Sequence, residues 1–526
     1  MNAENRRRLT DTGQPVADAR LRLAILSAEG WRREQRKEAL KNKARQVWRA
    51  VYQHPSGRDI ASKESYEQFR AEAKYYGVSE VVPEKITTIE ERKIRVCTIL
   101  SEHGPVGLKG RDLQELLQQW NDPSFQNIKL KGPAVWGRYL NLSEEKISTL
   151  NKHRKVYNMS VNAHYLSLMD FENPDADGLR MVFLPYDMGI PIDLTGQKVI
   201  PTSETSLDIS PHLTQHYDLT ARAEVNNPRI CVAACSYCQR EYNAMDPKLM
   251  ESSDDPTAGL KQRDIGNANK PEERQKIVNE LIMNAPFIQD LLLTGGDALR
   301  LTDDALFDLL EKIFTQVPSF QRKGTVRLCT KELSVNPWYC QRPEFLERLA
   351  EFNKKYPNRL YMVTQFVDPV EVTPAVGDAT KALKDAGIAR ILNQPVLLHR
   401  VNDGLDVDEN GNKYPGKYAQ LLLSLGAIGI EPHHTFAPKG PPYSIPYSPG
   451  LLRMREIDHA IRGSLPGTYI GDMIVSDPDT SEKIPVGWNT EMSIDEEEGL
   501  GYIQTQGGNW VAYPLYPVHD PDLLAA

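Results

Sequence analysis

Three cysteines crowd into eight residues, Cys231-Val-Ala-Ala-Cys235-Ser-Tyr-Cys238. Thiolates at spacings of four and three residues can wrap one soft metal site, and four-cysteine iron–sulfur sites use similar spacings. Here the fourth thiol is missing locally. A three-cysteine [4Fe–4S] cluster would leave one iron open to an outside ligand. A structural zinc knuckle is the plain alternative, but no nearby His or Cys completes a zinc tetrahedron at the expected spacing. The other thiols are scattered: Cys97 falls in a helical run, Cys329 in a strand and Cys340 after a turn, and all three read as ordinary buried side chains. Clustered thiols in a chain with no export signal argue for metal ligation or redox chemistry over disulfides.

A second cluster lies one strand further on. Leu291-Leu-Leu-Thr-Gly-Gly-Asp-Ala298 is an apolar strand ending in Gly295, Gly296 and Asp297. Glycines at a strand end let backbone approach a ligand closely, although a plain Gly-Gly turn would look the same. Together the two clusters resemble the radical S-adenosylmethionine (SAM) enzymes. In that family a CxxxCxxC loop follows the first barrel strand and a GGE-like segment meets the amino group of SAM. The resemblance implies a [4Fe–4S] cluster on Cys231, Cys235 and Cys238, SAM on its open iron, and SAM contacts from Gly295, Gly296 and Asp297.

Three further segments narrow the likeness. LLLTGGDALRL, TQFVDPVEVT from Thr364 and NQPVLLHRVND from Asn393 resemble the lysine 2,3-aminomutase family over about Thr220 to Trp488. That family uses pyridoxal 5′-phosphate (PLP), held by a lysine as a Schiff base, to move an amino group between Cα and Cβ. The resemblance places Asn393 and Gln394 beside SAM. It makes Lys483, before Ile484-Pro485-Val486, the PLP lysine. It also gives Arg222, nine residues before Cys231, to the PLP phosphate and Arg240 to the substrate α-carboxylate. A guanidinium fork suits both anions. One departure stands out. The family's glycine-rich run before the lysine is replaced by Ser476-Asp-Pro-Asp-Thr-Ser-Glu482, whose Asp477, Asp479 and Glu482 would repel a phosphate if they pointed inward.

Lysine-specific members hold the distal ammonium with two aspartates. At the matching places this chain has Ser476 and the Ala437–Pro438 region, which would leave an ammonium without charge partners. Lys439 lies close by, as do His433 and His434. The implied substrate is an amino acid other than lysine, with acidic amino acids such as glutamate among the candidates. Two rival readings stay open: a radical SAM enzyme without PLP, and a non-catalytic Fe–S or zinc module. The family's extra zinc cysteines beyond the PLP lysine have no counterpart after Cys340.

These residues need elements to position them. From about 225 the sequence alternates short apolar runs with helical runs. Strand candidates are RICVAA near 229, DLLLTG, TVRLCT, LYMVTQF, ARILNQPVLL and IGIEPHHTF near 428. Helix candidates are EERQKIVNELIMN, DDALFDLLEKIFTQV, PEFLERLAEFNKKY, DATKALKDAG and YAQLLLSLG. Such alternation predicts an α/β fold with a parallel sheet, and the resemblance makes it a partial (β/α)6-type radical SAM barrel. In parallel α/β folds the C-terminal strand ends carry the chemistry. Asp246 to Glu273 reads as a charged loop. The expected organisation is a mainly helical region over 1–220, the barrel over 221–450, and a C-terminal segment over 451–526 carrying Lys483. The basic amphipathic run from Trp31 to Gln53 reads as the solvated face of a packed helix.

The chain has 526 residues, 25% charged and 40% hydrophobic, with a net charge of -8. That excludes a disordered, collagenous or disulfide-scaffold protein, and the acidic total argues against nucleic acid as a general partner. No run of eighteen apolar residues or signal-type h-region is present, so a cytoplasmic location without membrane contact is expected. The implied partners are a small amino acid substrate, an electron donor such as flavodoxin or ferredoxin, and further copies of the chain in a homo-oligomer.

Overall fold

A computed structural model of the chain describes residues 35, 88–192, 208–210, 212–227, 230–240, 267–407, 413–414, 416–439, 443–477, 482–487, 489–505 and 507–517. The run from Trp31 to Gln53 lies outside these residues but for position 35, as does most of the charged stretch that begins at Asp246.

The centre is an α/β assembly built on a seven-stranded sheet. Its strands are β1 (Leu213–Tyr217), β2 (Thr220–Glu224), β3 (Asp290–Thr294), β4 (Thr325–Cys329), β5 (Leu360–Thr364) and β6 (Ile391–Asn393). A small ladder of β7 (Asp406–Val407) and β8 (Lys413–Tyr414) stands apart, and β9 (Glu431–Pro432) closes the order β1-β2-β3-β4-β5-β6-β9. β1 and β2 form an antiparallel hairpin; from β2 onward every pairing is parallel. Because neighbours follow in chain order and parallel crossovers share one hand, the connecting helices gather on one face.

Strand alternation decides what each face carries. Ala221, Ala223, Leu291, Leu293, Val326, Leu328, Leu360 and Met362 enter one apolar core with the helices Pro271–Asn284, Asp303–Gln316, Pro343–Lys355 and Pro374–Asp385. Three of these helices start on a proline, which presets φ and lacks the N–H that a first helical turn leaves unpaired. The opposite face is polar: Thr220, Arg222 and Glu224 on β2, Asp290 and Thr294 on β3, and Thr325, Arg327 and Cys329 on β4.

The front helices pack against the loops at the strand ends. Ile89–His103 opens with a capping box between Thr88 and Glu91. With Glu144–His153, Ala163–Leu168 and Gly178–Phe183 it builds a core around Trp136, Tyr139, Tyr165 and Phe183. Cys235, Tyr237, Val335, Val367, Tyr443 and Tyr447 belong to that same core. The cysteine loop is tied in directly: Ser236 N donates to Val182 O at 2.9 Å and Lys129 Nζ to Cys231 O at 2.5 Å.

The C-terminal segment attaches through a second sheet, β10 (Thr435–Phe436), β11 (Met473–Ser476) and β12 (Lys483–Pro485). Met473, Val475, Ile484 and Val486 pack on the helix Leu451–Arg462. A meander of β13 (Met492–Asp495), β14 (Leu500–Gln504) and β15 (Trp510–Pro514) follows.

Four expectations need correction. Of the run RICVAA, the described residues 230–234 form no strand: the first parallel strand is β2, which ends before them, and Cys231–Cys238 lie in a loop. Apolar residues there pack on the front helices instead of pairing in the sheet. IGIEPHHTF splits into β9 and β10, which belong to different sheets, and only Ile391–Asn393 of ARILNQPVLL is a strand. The loop drawn to Glu273 ends earlier, since Pro271–Glu273 form the first turn of a helix.

Candidate active site

The polar face of the sheet, the cysteine loop and the β10–β12 edge enclose a cavity of about 400 Å³. Cys231, Cys235 and Cys238 line it, with Gly295, Gly296, Asp297, Gln394, Arg222, Arg240, Lys439 and Lys483. Residues from 222 to 483 therefore meet in one chamber.

Each is positioned by local structure. Gly295 and Gly296 follow β3, and Gly295 has φ +125, a backbone region that disfavours side chains. A Cβ on Gly295 would stand 2.3 Å from Asn226 O, and one on Gly296 2.9 Å from Cys231 N. The glycines are thus required by close approach of the chain entering the cysteine loop, as well as by their place on the cavity wall. Asn226 clamps the junction: its Oδ1 accepts from Gly296 N at 2.8 Å and its Nδ2 donates to Asp297 O at 2.7 Å. Asp297 accepts from Leu299 N at 2.9 Å and Lys331 N at 2.7 Å, and burial still pushes its carboxyl up to about 6.

Lys483 reaches the cavity because its neighbour Ile484 is buried in the core behind β12. Its Nζ lies 3.0 Å from His216 Nδ1 and 4.5 Å from the centre of the Tyr217 ring. His433 and His434 stack at 4.3 Å. Burial, His434 and nearby cations push His433 down to about 3, so its ring is neutral at ordinary pH.

Six cationic side chains line the chamber: Arg222, Arg240, Arg327, Lys331, Lys439 and Lys483. Asp297 is the single acidic residue among the described lining residues. Four of the cations pair with carboxylates set behind the wall, Arg222 and Arg240 sharing Glu224. Arg327 Nε donates to Asp290 Oδ1 at 3.0 Å, Lys331 Nζ meets Glu371 Oε1 at 3.0 Å, and Arg240 Nη2 lies 2.6 Å from Glu224 Oε1. Ala437, Pro438, Lys439 and Ser476 also line the chamber. Asp477 and Glu482 are not among the lining residues; the backbone pairs them, Asp477 N donating to Glu482 O at 2.9 Å. Asp479 lies outside the described residues.

One expected residue is placed elsewhere. Asn393 is buried and does not line this chamber: its Oδ1 accepts from Phe366 N at 2.8 Å and its Nδ2 donates to Phe366 O at 3.3 Å. It braces two strand ends, and only Gln394 beside it faces the cavity. Cys329, read from sequence as an ordinary buried thiol, also lines the chamber. The sequence reading missed His216, Glu224, Arg327, Lys331 and Asn158. The alternation T-A-R-A-E and T-V-R-L-C held the signal for Glu224 and Arg327, since a charge at every second place of a buried strand marks an inward polar face. Nothing local signalled His216 or Asn158.

The donor set suits a soft cationic cluster. Among the described residues no three His, Cys, Asp or Glu side chains converge closely enough to hold a single metal ion. The three thiols nevertheless open onto one chamber. Burial, followed by the proximity of Asp297, Cys235 and Cys238, pushes the Cys231 thiol well above its ordinary range. Deprotonating these thiols beside a buried carboxylate would concentrate negative charge, which a bound metal cluster would relieve.

Among known proteins the chain is 26% identical over 414 residues to the L-lysine 2,3-aminomutase of Fusobacterium nucleatum, covering 76% of this chain and 85% of the relative. It is 27% identical over 390 residues to the L-lysine 2,3-aminomutase of Clostridium subterminale, covering 72% and 81%. The glutamate 2,3-aminomutase of Clostridioides difficile is 24% identical over 404 residues, covering 77% and 82%. The chain is a relative of the lysine 2,3-aminomutase family. Aminomutases are isomerases, and the chain stands with them as an enzyme of that class. A likeness covering 76% of the chain is longer than everything after residue 220, so it reaches into the helical front that sequence motifs left unmatched. No family model matches the chain, and no described helix is long and apolar enough to cross a membrane.

Proposed function

We propose that the chain is a radical SAM, PLP-dependent 2,3-aminomutase acting on an amino acid other than lysine, one with an acidic side chain. The observation that carries this reading is the composition of one cavity. Three loop cysteines, the Gly295-Gly296-Asp297 turn and Lys483 share it with five further cations, and Asp297 is its single described acid. An ammonium side chain would find no carboxylate on the wall of Ala437, Pro438, Lys439 and Ser476. A carboxylate would meet Lys439.

On this reading the sheet is the wall of a partial (β/α)6 barrel. Cys231, Cys235 and Cys238 would hold the [4Fe–4S] cluster, and Gly295, Gly296, Asp297 and Gln394 would border SAM. Arg222 would take the PLP phosphate and Arg240 the substrate α-carboxylate. When bound, the cluster with SAM supplies one-electron hydrogen abstraction, and PLP supplies the π-system across which an amino group moves. The chain's own residues do the remaining work. His216 Nδ1 lies where it can accept a proton from Lys483 Nζ, which the lysine must lose to act as a nucleophile. The neutral, stacked histidines offer polar contacts without adding charge. The front helices cover the cysteine loop and keep bulk water from it. The electron would come from a donor such as flavodoxin or ferredoxin; a cytoplasmic homo-oligomer fits the same reading.

The deciding experiment is anaerobic. Protein reconstituted with iron, sulfide and PLP is given SAM, dithionite and each candidate amino acid in turn, and products are identified by mass spectrometry. A β-amino acid formed from glutamate or another acidic amino acid is expected. Fast turnover of lysine alone would sink the substrate assignment, and absence of SAM cleavage would sink the enzyme class. A radical SAM reaction without PLP is distinguished by the visible PLP chromophore: its absence from reconstituted wild type would favour that reading.

A further inference from the structure

Glu224 ends β2 on the same face as Arg222, two positions earlier. Its side chain is 5% exposed, against 8% for Arg222 and 7% for Arg240. One oxygen serves both arginines: Oε1 accepts from Arg222 Nη2 at 3.2 Å and lies 2.6 Å from Arg240 Nη2. Arg222 and Arg240 stand on opposite sides of the cysteine loop in sequence, so only the fold brings them together. Two buried guanidiniums side by side repel each other. A carboxylate oxygen between them offsets that repulsion and sets their separation. Both arginines line the cavity, whereas Glu224 does not, so any effect on a ligand passes through them.

We infer that Glu224 is a positioning residue whose carboxylate locks Arg222 and Arg240 into a paired anion clamp. The clamp holds two anionic groups at a set separation: the PLP phosphate and the α-carboxylate of the amino acid. Naming those anions rests on the function proposed above; the clamp itself rests on the three side chains.

Two simpler roles give different outcomes. A carboxylate that merely opposed incoming anions would weaken binding, so its neutralisation would tighten it. A carboxylate that merely held the fold would move stability and leave ligand affinity alone. Glu224→Gln keeps shape and one acceptor but loses the charge. Glu224→Asp keeps the charge but is one methylene too short to bridge both guanidiniums.

The test measures the dissociation constants of PLP and, separately, inorganic phosphate by calorimetry on the reconstituted protein, with KM and kcat for the amino acid that proves active. The clamp predicts that both variants lose roughly tenfold in PLP affinity and raise KM by a similar factor, while kcat stays within about threefold. Wild-type behaviour of Glu224→Asp would overturn the inference, as would unchanged or tighter binding by Glu224→Gln, or a change in thermal midpoint alone. If Glu224→Gln does not fold, Glu224→Asp decides, since it keeps a negative charge buried beside the two arginines. A wild-type protein that binds phosphate but not PLP would overturn the aminomutase reading, and the clamp would then be judged on phosphate with the same variants. Wild type binding neither would overturn both.

Discussion

At the scale of single residues, Lys483 and Lys439 line one cavity, and the proposed function gives them separate roles. Lys483 is held by His216 and the Tyr217 ring. Lys483→Ala is expected to abolish the visible PLP chromophore while leaving iron and sulfide content at the wild-type level. Retention of the chromophore would place the PLP lysine elsewhere. Lys439 stands beside Ala437, Pro438 and Ser476 on the wall that would read the distal substrate group. Lys439→Ala should raise KM for an acidic amino acid by roughly tenfold or more, with a smaller change in kcat, because a desolvated charge pair is lost. Equal KM values in variant and wild type would remove Lys439 from substrate recognition. Neither role is settled by residue type, since an exposed lysine and a cavity lysine look alike in sequence. Asn393 is likewise ambiguous in sequence; in the structure its side-chain amide bonds to the backbone of Phe366.

At the scale of elements, the junction after β3 is the most tightly determined feature. Gly295 approaches Asn226 too closely for any side chain and takes a positive φ. Gly295→Ala should cost at least ~1–3 kcal/mol in backbone strain, more with the clash against Asn226 O, and should displace the cysteine loop packed on that turn. Denaturant melts and iron content of the reconstituted protein would show both effects; wild-type stability with full iron loading would contradict them. The helices of the α/β region were legible because their apolar periodicity and N-terminal prolines act locally. β3, β4 and β5 were legible because each is a short β-branched or apolar run. RICVAA misled because an apolar run records burial without saying whether sheet or helices do the burying. β9 and β10 were unreadable for a related reason: two residues of pairing, set by neighbouring strands, leave no period to detect.

At the scale of the whole molecule, the helical front and the α/β region share a core that includes Cys235 and Tyr237. Asn162 and Tyr165 reach across it to Val335 O and Ser334 Oγ at 2.9 Å each. Beside them His164 is 3% exposed, packed edge-on to Trp338 at 5.1 Å. Burial, with Lys93 adding, pushes it down from 6.5 to about 3. A depressed folded value means the unfolded chain takes up the proton first. This contribution to stability is therefore complete above about pH 6.5 and is lost as pH falls toward 3. The slope approaches ~1.4 kcal/mol per pH unit for one such group, and His433 acts in the same direction. His164→Phe keeps the ring packing and should flatten the slope of unfolding free energy between pH 6.5 and 4.5. An unchanged slope would show that His164 takes up its proton without unfolding.

The amino-acid sequence by itself determined the chemistry on offer: a three-thiol loop, a Gly-Gly-Asp strand end, a late lysine before Ile-Pro-Val, and strand–helix alternation. Those signals are short in range, because spacing within a loop and periodicity within an element are written in consecutive residues. Only the tertiary structure decided which groups share a chamber. It placed Glu224 between two arginines, His216 against Lys483, and Asn393 behind the wall. It turned the helical front into the cover of the cysteine loop. These relations depend on residues tens to hundreds of positions apart, brought together by burial of one sheet face under its helices and of the strand-end loops against the front helices, and no local pattern encodes that distance.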